Sequence, residues 1–285
     1  MDNVVNFNDQ KVYNAEMVKS AYDKLGFVDQ IFDPLSIIVD FGCADGAITR
    51  MIKSFYPDSI VVGYDLPQVL TSNHLPMIDP VDVVIPTDQN FWLNYIEINY
   101  KKEVFYTSSL TVIKFLLEQF PINKSLLVIN SVTHEIYNYM SRVDRRELFN
   151  DLFSMQFSYI WVRDMYINAP DHSPVFESIL KSDTIPKDRL QEFIAENGDL
   201  TLETLVQFLL KFRYKNWDKE LLEDYNAFCE NINEFENLLY YKGYTLIRSI
   251  NYVLPYVNYI NLKDGIVDLE NNNITTHTKR LYKFD

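Results

Sequence analysis

The sequence predicts an α/β fold in which a doubly wound, mainly parallel sheet of seven strands ends in an antiparallel C-terminal edge strand. Two observations carry this prediction. As far as about residue 170, short apolar runs alternate with segments of helical periodicity, which is the pattern of strands covered on both faces by helices. After a long helical stretch, two further strand-like runs close the sequence and predict the antiparallel edge.

Each element follows from a local pattern. Apolar residues at helical spacing over residues 10–32 predict a leading helix that breaks near Gly26. Residues 66–100 hold four prolines and little periodicity, so we expect a loop with some local helix. Residues from about 170 to 235 form a predicted helical insertion in a single domain of residues 1–285. The predicted strands are SIIVDFG, SIVVGYDL, EVFYTSSL, KSLLVINSV, SYIWVRDMYI, GYTLIRSINYVL and TTHTKRLYKF, and helices between them cover residues 45–55, 111–120 and 144–155.

The composition is that of a folded protein without a cysteine framework. Hydrophobic residues make up 47% of the 285 residues, which excludes a disordered chain. Two cysteines, Cys43 and Cys229, provide no disulfide framework and no cysteine metal site. The sequence shows neither a signal-peptide pattern nor an apolar run of the roughly 20 residues that a membrane span needs. We therefore expect a soluble, cytoplasmic protein.

The net charge limits the choice of partners. The formal charge is −14, from 26 basic and 40 acidic side chains. Such a field repels phosphate backbones, so a nucleic-acid role would require a local basic patch. A small molecule or a protein is the favoured partner.

The stretch VDFGCADGAITR, residues 39–50, is the first candidate site. Two of the seven glycines of the chain, Gly42 and Gly46, lie in its predicted strand-to-helix turn. Glycine adopts positive φ and lets a ligand approach the backbone, and the start of the helix adds free N–H groups. A dinucleotide fingerprint requires G-x-G-x-x-G, but alanine stands at two of its glycine positions. Asp40, directly before the turn, would also repel a pyrophosphate and attract an ammonium group.

The pattern D-x-G-x-A-x-G in this turn resembles motif I of class I S-adenosylmethionine-dependent methyltransferases. Other blocks resemble a group of methyltransferase-domain proteins of bacteria and phages. The resemblance implies a Rossmann-like fold and S-adenosylmethionine as the cofactor, and it names no methyl acceptor. The resembling blocks are MVKSAYDKLGFVDQIF, GYDL, SVTHEIYNY, YIWVRDM, FLLKFRYKNWDKELLEDYN and THTK.

The resemblance also implies roles for single residues. Asp40 is expected to hold the amino group of the cofactor, and N–H groups after Asp45 its carboxylate. Asp65, at the end of the second strand, is expected to accept hydrogen bonds from the ribose hydroxyls. Many members carry an acid after the third strand for the adenine amino group, whereas this chain has TSSL, where a serine would replace it. The expected cofactor contacts are Asp40, Gly42, Cys43, Gly46, Asp65, Leu66, Ser108 (or Ser109), Asn130 and Ser131.

The segment INSVTHEIYNY follows the fourth strand and is the candidate catalytic segment. His134 is the leading candidate for a general base, because an imidazole with a pKa near 6.5 accepts a proton at neutral pH. Glu135 is the second candidate, and the alternative is that His134 caps a turn with Glu135 orienting it. Arg163 and Asp164 are expected to end the fifth strand, where they either line the acceptor side or form a structural ion pair.

The segment KFRYKNWDK, residues 211–219, interleaves basic and aromatic side chains. This combination can stack bases and neutralise phosphates, but packing of the aromatic rings is the favoured interpretation in so acidic a chain. Its place in the insertion makes Tyr214 and Trp217 candidate acceptor contacts. The scattered histidines lack ligand spacing and predict no metal site. The basic residues of the segment are Lys211, Arg213, Lys215 and Lys219, and the scattered histidines are His74, His172 and His277.

The main functional prediction is therefore transfer of a methyl group from S-adenosylmethionine to an oxygen or nitrogen of a small-molecule or protein acceptor. Two alternatives remain open. The first is a catalytically silent, methyltransferase-like interaction protein, motivated by TSSL and by the surface acidity. The second is RNA methylation, which depends on KFRYKNWDK alone.

Overall fold

The computed structural model describes residues 21–78, 89–120, 124–170, 173–198, 200–214 and 216–285. The strands are β1 (Ile37–Phe41), β2 (Ile60–Tyr64), β3 (Phe105–Thr107), β4 (Ser125–Asn130), β5 (Tyr159–Asn168), β6 (Tyr244–Tyr252) and β7 (Thr275–Phe284). The helices are α1 (Ala21–Lys24), α2 (Ala47–Phe55), α3 (Pro67–Ser72), α4 (Gln89–Asn99), α5 (Leu110–Gln119), α6 (Thr133–Tyr139), α7 (Arg142–Ser154), α8 (Ser173–Lys181), α9 (Lys187–Asn197), α10 (Leu202–Lys211), α11 (Trp217–Leu222), α12 (Ala227–Tyr241) and α13 (Pro255–Lys263).

The seven strands form one sheet in the order β3-β2-β1-β4-β5-β7-β6. Strands β1 to β5 are parallel, and β7 is antiparallel to both of its neighbours, β5 and β6. The predicted α/β fold class is confirmed. The chain runs outward from β1 to β3 and then resumes at β4 on the other side of β1, so the strand order reverses between β1 and β4. This is the place where open α/β sheets bind ligands.

The buried strands divide their side chains between two apolar layers because successive residues of a strand point to opposite faces. Ile37, Val39 and Phe41 of β1 belong to a core that includes residues of α5, α7 and α12. Ile38 belongs to the opposite core with Ile52 of α2. The next residue on that face is an aspartate at the end of the strand, so its carboxylate is directed under α2.

The helical insertion has an apolar core of its own. Helices α8 to α11 pack around Phe208, whose ring stacks on Phe212 at 5.2 Å and meets Trp217 edge-on at 6.1 Å. The same core includes Ile167 of β5 and Ile274 next to β7, so it is continuous with the end of the sheet. The last long helix, α12, packs on the sheet core instead.

Two predicted boundaries differ from the structure. The leading helix was predicted to reach residue 32, but α1 ends at Lys24 and tight turns follow, which let Phe27 and Ile31 reach the core; residues 10–20 lie outside the described residues. Arg163 and Asp164 were expected to end the fifth strand, and this is wrong: β5 covers Tyr159–Asn168, close to the predicted run SYIWVRDMYI, so both residues lie within the strand. Pairing with β7 stabilises the part that follows them.

The prediction of a single domain is testable through its two cores. Phe235→Ala in the sheet core and Phe208→Ala in the insertion core each delete a fully buried ring, and each should lower the free energy of unfolding by about 3–5 kcal/mol. Because Ile167 of β5 belongs to the insertion core, the insertion and the sheet should unfold together, and urea denaturation of both variants should remain a single transition. Phe55→Ala, at a position that is 47% exposed, is the control and should change stability by less than about 0.5 kcal/mol. A separate early transition in Phe208→Ala would mean that the insertion is a second domain.

Candidate functional site

The turn between β1 and α2 wraps around the end of β2. The N–H groups of Gly42 and Cys43 both donate to the carbonyl of Tyr64, at 2.9 and 3.1 Å. Gly42, Ala44 and Gly46 all have positive φ, at 77°, 49° and 72°. Two of the three positions hold the residue that adopts this conformation without strain, whereas Ala44 does so at a cost.

The neighbours of the two glycines are protein side chains. A Cβ on Gly42 would lie 2.9 Å from Cγ2 of Val132, and a Cβ on Gly46 would lie 2.8 Å from Cε1 of Tyr106. These contacts and the positive φ values suffice to require glycine at both positions. The close approach that the glycines permit is therefore made by the protein itself.

Asp40 is a buried carboxylate at the end of β1. It is 2% exposed, and its Oδ2 accepts a hydrogen bond of 2.7 Å from the hydroxyl of Thr49 on α2. Burial raises the pKa of Asp40 to about 6, although the Thr49 hydrogen bond and the nearby ammonium group of Lys24 oppose the shift. Lys24 is itself 3% exposed, and burial lowers its pKa to about 8. The fold thus keeps two costly ionisable groups side by side.

Asp65 follows β2 directly and ties its own turn to the first one. Its carboxylate oxygens accept hydrogen bonds of 2.7 Å from the N–H groups of Ala44 and Leu66. Burial raises the pKa of Asp65, and the two N–H donors offset part of that shift. Each oxygen keeps a lone pair that is able to accept a further hydrogen bond.

A cavity of about 230 Å³ lies beyond the ends of β1 and β4, at the reversal of strand order. Its polar lining is formed chiefly by Lys24, Asp40, Asp65, Asn130, Ser131 and Glu135. The amide nitrogen and oxygen of Asn130 are buried and have no hydrogen-bond partner among the residues that the structure describes. Such groups are costly to bury unpaired, so this wall of the cavity is suited to a ligand with both a donor and an acceptor.

The predicted cofactor contacts divide into two sets. Gly42 and Cys43 line the cavity together with the polar residues Asp40, Asp65, Asn130 and Ser131. Burial raises the pKa of the Cys43 thiol far above its usual range, so that thiol stays protonated. Gly46, Leu66 and Ser108 are not among the described residues that line the cavity.

His134, on α6, is enclosed by carboxylates and is 3% exposed. Its Nδ1 lies 2.7 Å from Oδ1 of Asp164, and its Nε2 lies 3.3 Å from Oε1 of Glu223. Burial by itself lowers the pKa of His134, but the Asp164 and Glu223 carboxylates outweigh it and raise that pKa to about 10. With no other cation between the ring and Glu223, the imidazole is protonated at neutral pH, a state in which it is unable to act as a general base.

The side chain of Glu135, the next residue on α6, points in a different direction from that of His134. Its side chain is 41% exposed and lines the cavity beside Asn130 and Ser131. Burial raises the pKa of Glu135, and the charges of His134 and Lys219 oppose that shift. Of the two predicted catalytic residues, Glu135 is the one that the structure places at the cavity.

Arg163 and Asp164 serve separate partners. Nε of Arg163 donates to Asp23 at 2.8 Å, and its Nη1 donates to the hydroxyl of Ser131 at 2.6 Å. Asp164 accepts hydrogen bonds from the N–H groups of Thr133 and His134, at 2.7 and 3.2 Å, and so holds the start of α6. The expected Arg–Asp pair is therefore replaced by two separate networks, and neither side chain is among the described residues that line the cavity.

The segment KFRYKNWDK is mostly packed. Lys211 is fully buried and donates to the carbonyl of Glu223. Arg213 forms an ion pair with Asp264 at 2.7 Å, and Trp217 is 8% exposed and donates to Glu192 at 2.7 Å. Neither Tyr214 nor Trp217 is among the described residues that line the cavity, and Lys215 lies outside the described residues. The segment presents no stripe of exposed basic groups in the part that the structure describes.

Sequence reasoning missed two residues of the site, Lys24 and Glu223. Lys24 interrupts the apolar spacing of the leading segment, and an ammonium group on the apolar side of a helix is a signal for a buried charge. Glu223 lies 88 to 89 residues beyond His134 and Glu135 in the chain, and it carries no local signal, because only the packing of the insertion brings it to α6.

The raised pKa of Asp40 predicts a pH-dependent cost in stability. The folded protein holds this proton up to pH about 6, and the unfolded chain releases it near the ordinary value of 3.8. Ionisation of Asp40 therefore destabilises the fold as pH rises through this window. Relative to Asp40→Asn, the native protein should lose about 1–3 kcal/mol of unfolding free energy between pH about 4 and pH about 7. Urea denaturation across this range measures the difference, and a constant difference would contradict the buried carboxylate.

The known proteins to which this chain is similar are solved structures of low sequence identity. No protein-family model matches the sequence, and no curated protein matches it. Similar solved structures include the mitomycin 7-O-methyltransferase MmcR (12% identity, TM-score 0.43, 96% of this chain and 57% of that chain). An O-methyltransferase family protein from Burkholderia thailandensis gives 9% identity and a TM-score of 0.44 over 96% of this chain and 59% of that one. The structure of PigF with SAH gives 10% identity and a TM-score of 0.42 over 99% of this chain and 68% of that one.

This chain thus spans less than three fifths of the first two of these proteins. Similarities at this level do not identify an activity. Among the described residues, no helix is both long and apolar enough to cross a membrane.

Proposed function

We propose that this protein is an S-adenosylmethionine-dependent methyltransferase. The observation that supports the proposal best is the cavity at the β1–β4 reversal, which combines a buried carboxylate on Asp40 with the unpaired amide of Asn130. A buried ionisable group with a perturbed pKa in a cleft is a typical mark of a functional site. The turn D-x-G-x-A-x-G carries the resemblance to class I methyltransferases, and the seven-stranded sheet is the fold that this resemblance implies.

The residues present fit the methionine part of this cofactor. Asp40 would hold the ammonium group. The helix N-terminus expected to hold the carboxylate is partly engaged, because the N–H of Ala47 donates to Oδ1 of Asp45 at 3.0 Å. Lys24 lines the same cavity and offers a positive charge, so we assign the carboxylate to Lys24.

The nucleoside part would lie against Asp65, whose oxygens each retain a lone pair for a ribose hydroxyl. Asn130 would supply one donor and one acceptor from the β4 side. When bound, S-adenosylmethionine supplies an electrophilic methyl group on a sulfonium, and the transfer requires in-line alignment of the acceptor atom.

The acceptor side of the cavity is the side of Glu135. This carboxylate is positioned to orient an acceptor and to take a proton from its hydroxyl or amine, while His134, held between two carboxylates, positions α6. An oxygen or nitrogen of a small molecule or a protein remains the proposed acceptor. The packed state of KFRYKNWDK removes the observation on which RNA methylation depended.

A catalytically silent interaction protein is the second candidate. It is favoured by TSSL, since Ser108 is not among the described residues of the cavity lining and no replacement for the adenine-binding acid is apparent there. Cofactor binding without turnover on any acceptor would support it.

Calorimetry with S-adenosylhomocysteine tests the cofactor proposal. The native protein should bind it with a Kd in the micromolar range. Asp40→Asn keeps the shape of the side chain but loses its charge, so we expect binding to weaken by about tenfold or more, in line with the roughly 1.5–3 kcal/mol of a charged hydrogen bond. Asp58→Asn, at an 83% exposed carboxylate, is the matched control and should bind normally. Absence of binding by the native protein at about millimolar ligand would contradict the proposal.

The acceptor class is identified by a separate experiment. A cell extract incubated with the native protein and methyl-labelled cofactor should give label in the small-molecule or protein fraction. Glu135→Gln should reduce that label while leaving S-adenosylhomocysteine binding intact. Label confined to RNA would reverse the proposed acceptor class.

A further inference from the structure

The contact between His134 and Glu223 requires a cation. Asp164 accepts the Nδ1–H of His134 at 2.7 Å, which directs Nε2 toward Oε1 of Glu223 at 3.3 Å. In a neutral imidazole this Nε2 carries a lone pair, so two acceptors would face each other in a site where both side chains are 3% exposed. Either a proton or a metal ion must lie between them.

The distance favours a metal ion over a proton. A charge-assisted N–H···O hydrogen bond is about 2.7–2.9 Å long, and Oε1 of Glu223 has no hydrogen-bond partner among the described residues. Two ligand atoms bound to one tetrahedral metal at about 2.1 Å are about 3.4 Å apart. The 3.3 Å separation of Nε2 and Oε1 corresponds to this second geometry.

A third ligand is adjacent. The ligand atoms of His134, Glu135 and Glu223 all lie within 4.8 Å of one another, and a rotation of the half-exposed Glu135 side chain closes the remaining gap. Around this group the carboxylates of Asp164, Glu135, Glu220 and Glu223 outnumber the ammonium groups of Lys211 and Lys219.

We propose that His134, Glu135 and Glu223 form a binding site for a divalent transition metal of the Zn²⁺ class. One imidazole nitrogen and two carboxylates are ligands that such ions accept, and the remaining positions are open to water or substrate. Asp164 is a positioning residue, because a carboxylate on the second ring nitrogen fixes the tautomer and the orientation of a metal-binding histidine.

Lys219 is the competing cation at this site. Its ammonium group lies 3.7 Å from Oε2 of Glu223 and 4.0 Å from Oε1 of Glu135, and the side chain is half exposed. A bound metal would displace it into solvent at little cost. The site adjoins the cavity through Glu135, so the ion would bind a donor atom of the acceptor there, and Glu135 would then contact the ion. The metal site itself does not depend on the proposed methyl transfer.

Calorimetric titration of chelator-treated protein with Zn²⁺ tests the proposal. The native protein should bind one ion with a Kd in the micromolar range or lower, and Co²⁺ should give the visible absorption of a tetrahedral complex. Glu135→Gln removes a half-exposed ligand and should weaken binding by about tenfold or more. Glu118→Gln, at an exposed carboxylate on α5, should bind as the native protein does.

Lys219→Gln provides the opposite test. It removes the competing charge, so Zn²⁺ binding should become tighter by about tenfold. Absence of Zn²⁺ binding at about 1 mM, or equal binding by the native protein and Glu135→Gln, would overturn the proposal and leave His134 as an imidazolium between two carboxylates. S-adenosylhomocysteine binding, measured separately on the same chelator-treated protein, keeps the outcome distinct from that of the proposed function.

Discussion

Parallel strands that end at one edge of a sheet force their terminal polar residues into a shared, buried space, and the packing around this site follows from their need for partners. Asp40 is the last residue but one of β1, Asn130 ends β4, and Arg163 lies opposite Asn130 in β5. A charge buried in this way is stable only with a partner. The partners come from segments outside the parallel strands, such as Lys24 near Asp40 and Asp23 at Arg163, so these segments pack at the site.

Arg163 and Asp164 of β5 find different partners because successive side chains of a strand point to opposite faces of the sheet. Arg163 points to one face and pairs with Asp23, which also accepts hydrogen bonds from Lys279 and Tyr252. Asp164 points to the other face and holds the N-terminus of α6 and the ring of His134. One dipeptide therefore connects the leading segment on one side of the cavity with the candidate catalytic helix on the other.

The helical insertion has its own apolar core and also contributes side chains to the site around α6. Its core covers the end of the sheet, and its segment 219–225 brings Lys219 and Glu223 to α6, where the ring of Tyr225 meets that of His134 edge-on at 5.7 Å. This group of side chains around α6 is thus assembled from residues about 90 positions apart. Its electrostatics, with a histidine held between two buried carboxylates, exist only because the insertion folds back onto the sheet.

The order of the seven strands along the chain, the strand-to-helix turn at Gly42 and Gly46, and the polar residues near the strand ends were all predictable from the sequence, because each depends on local spacing and backbone conformation. Boundaries that depend on tertiary packing were different: α1 ends at Lys24, and the turns after it let Phe27 and Ile31 reach the core. Which polar groups meet, by contrast, depends on the packing of segments that are distant in the chain. This packing set Lys24 beside Asp40, enclosed His134 and left Glu135 at the cavity, because the cost of burying a charge depends on neighbours that are remote in the chain.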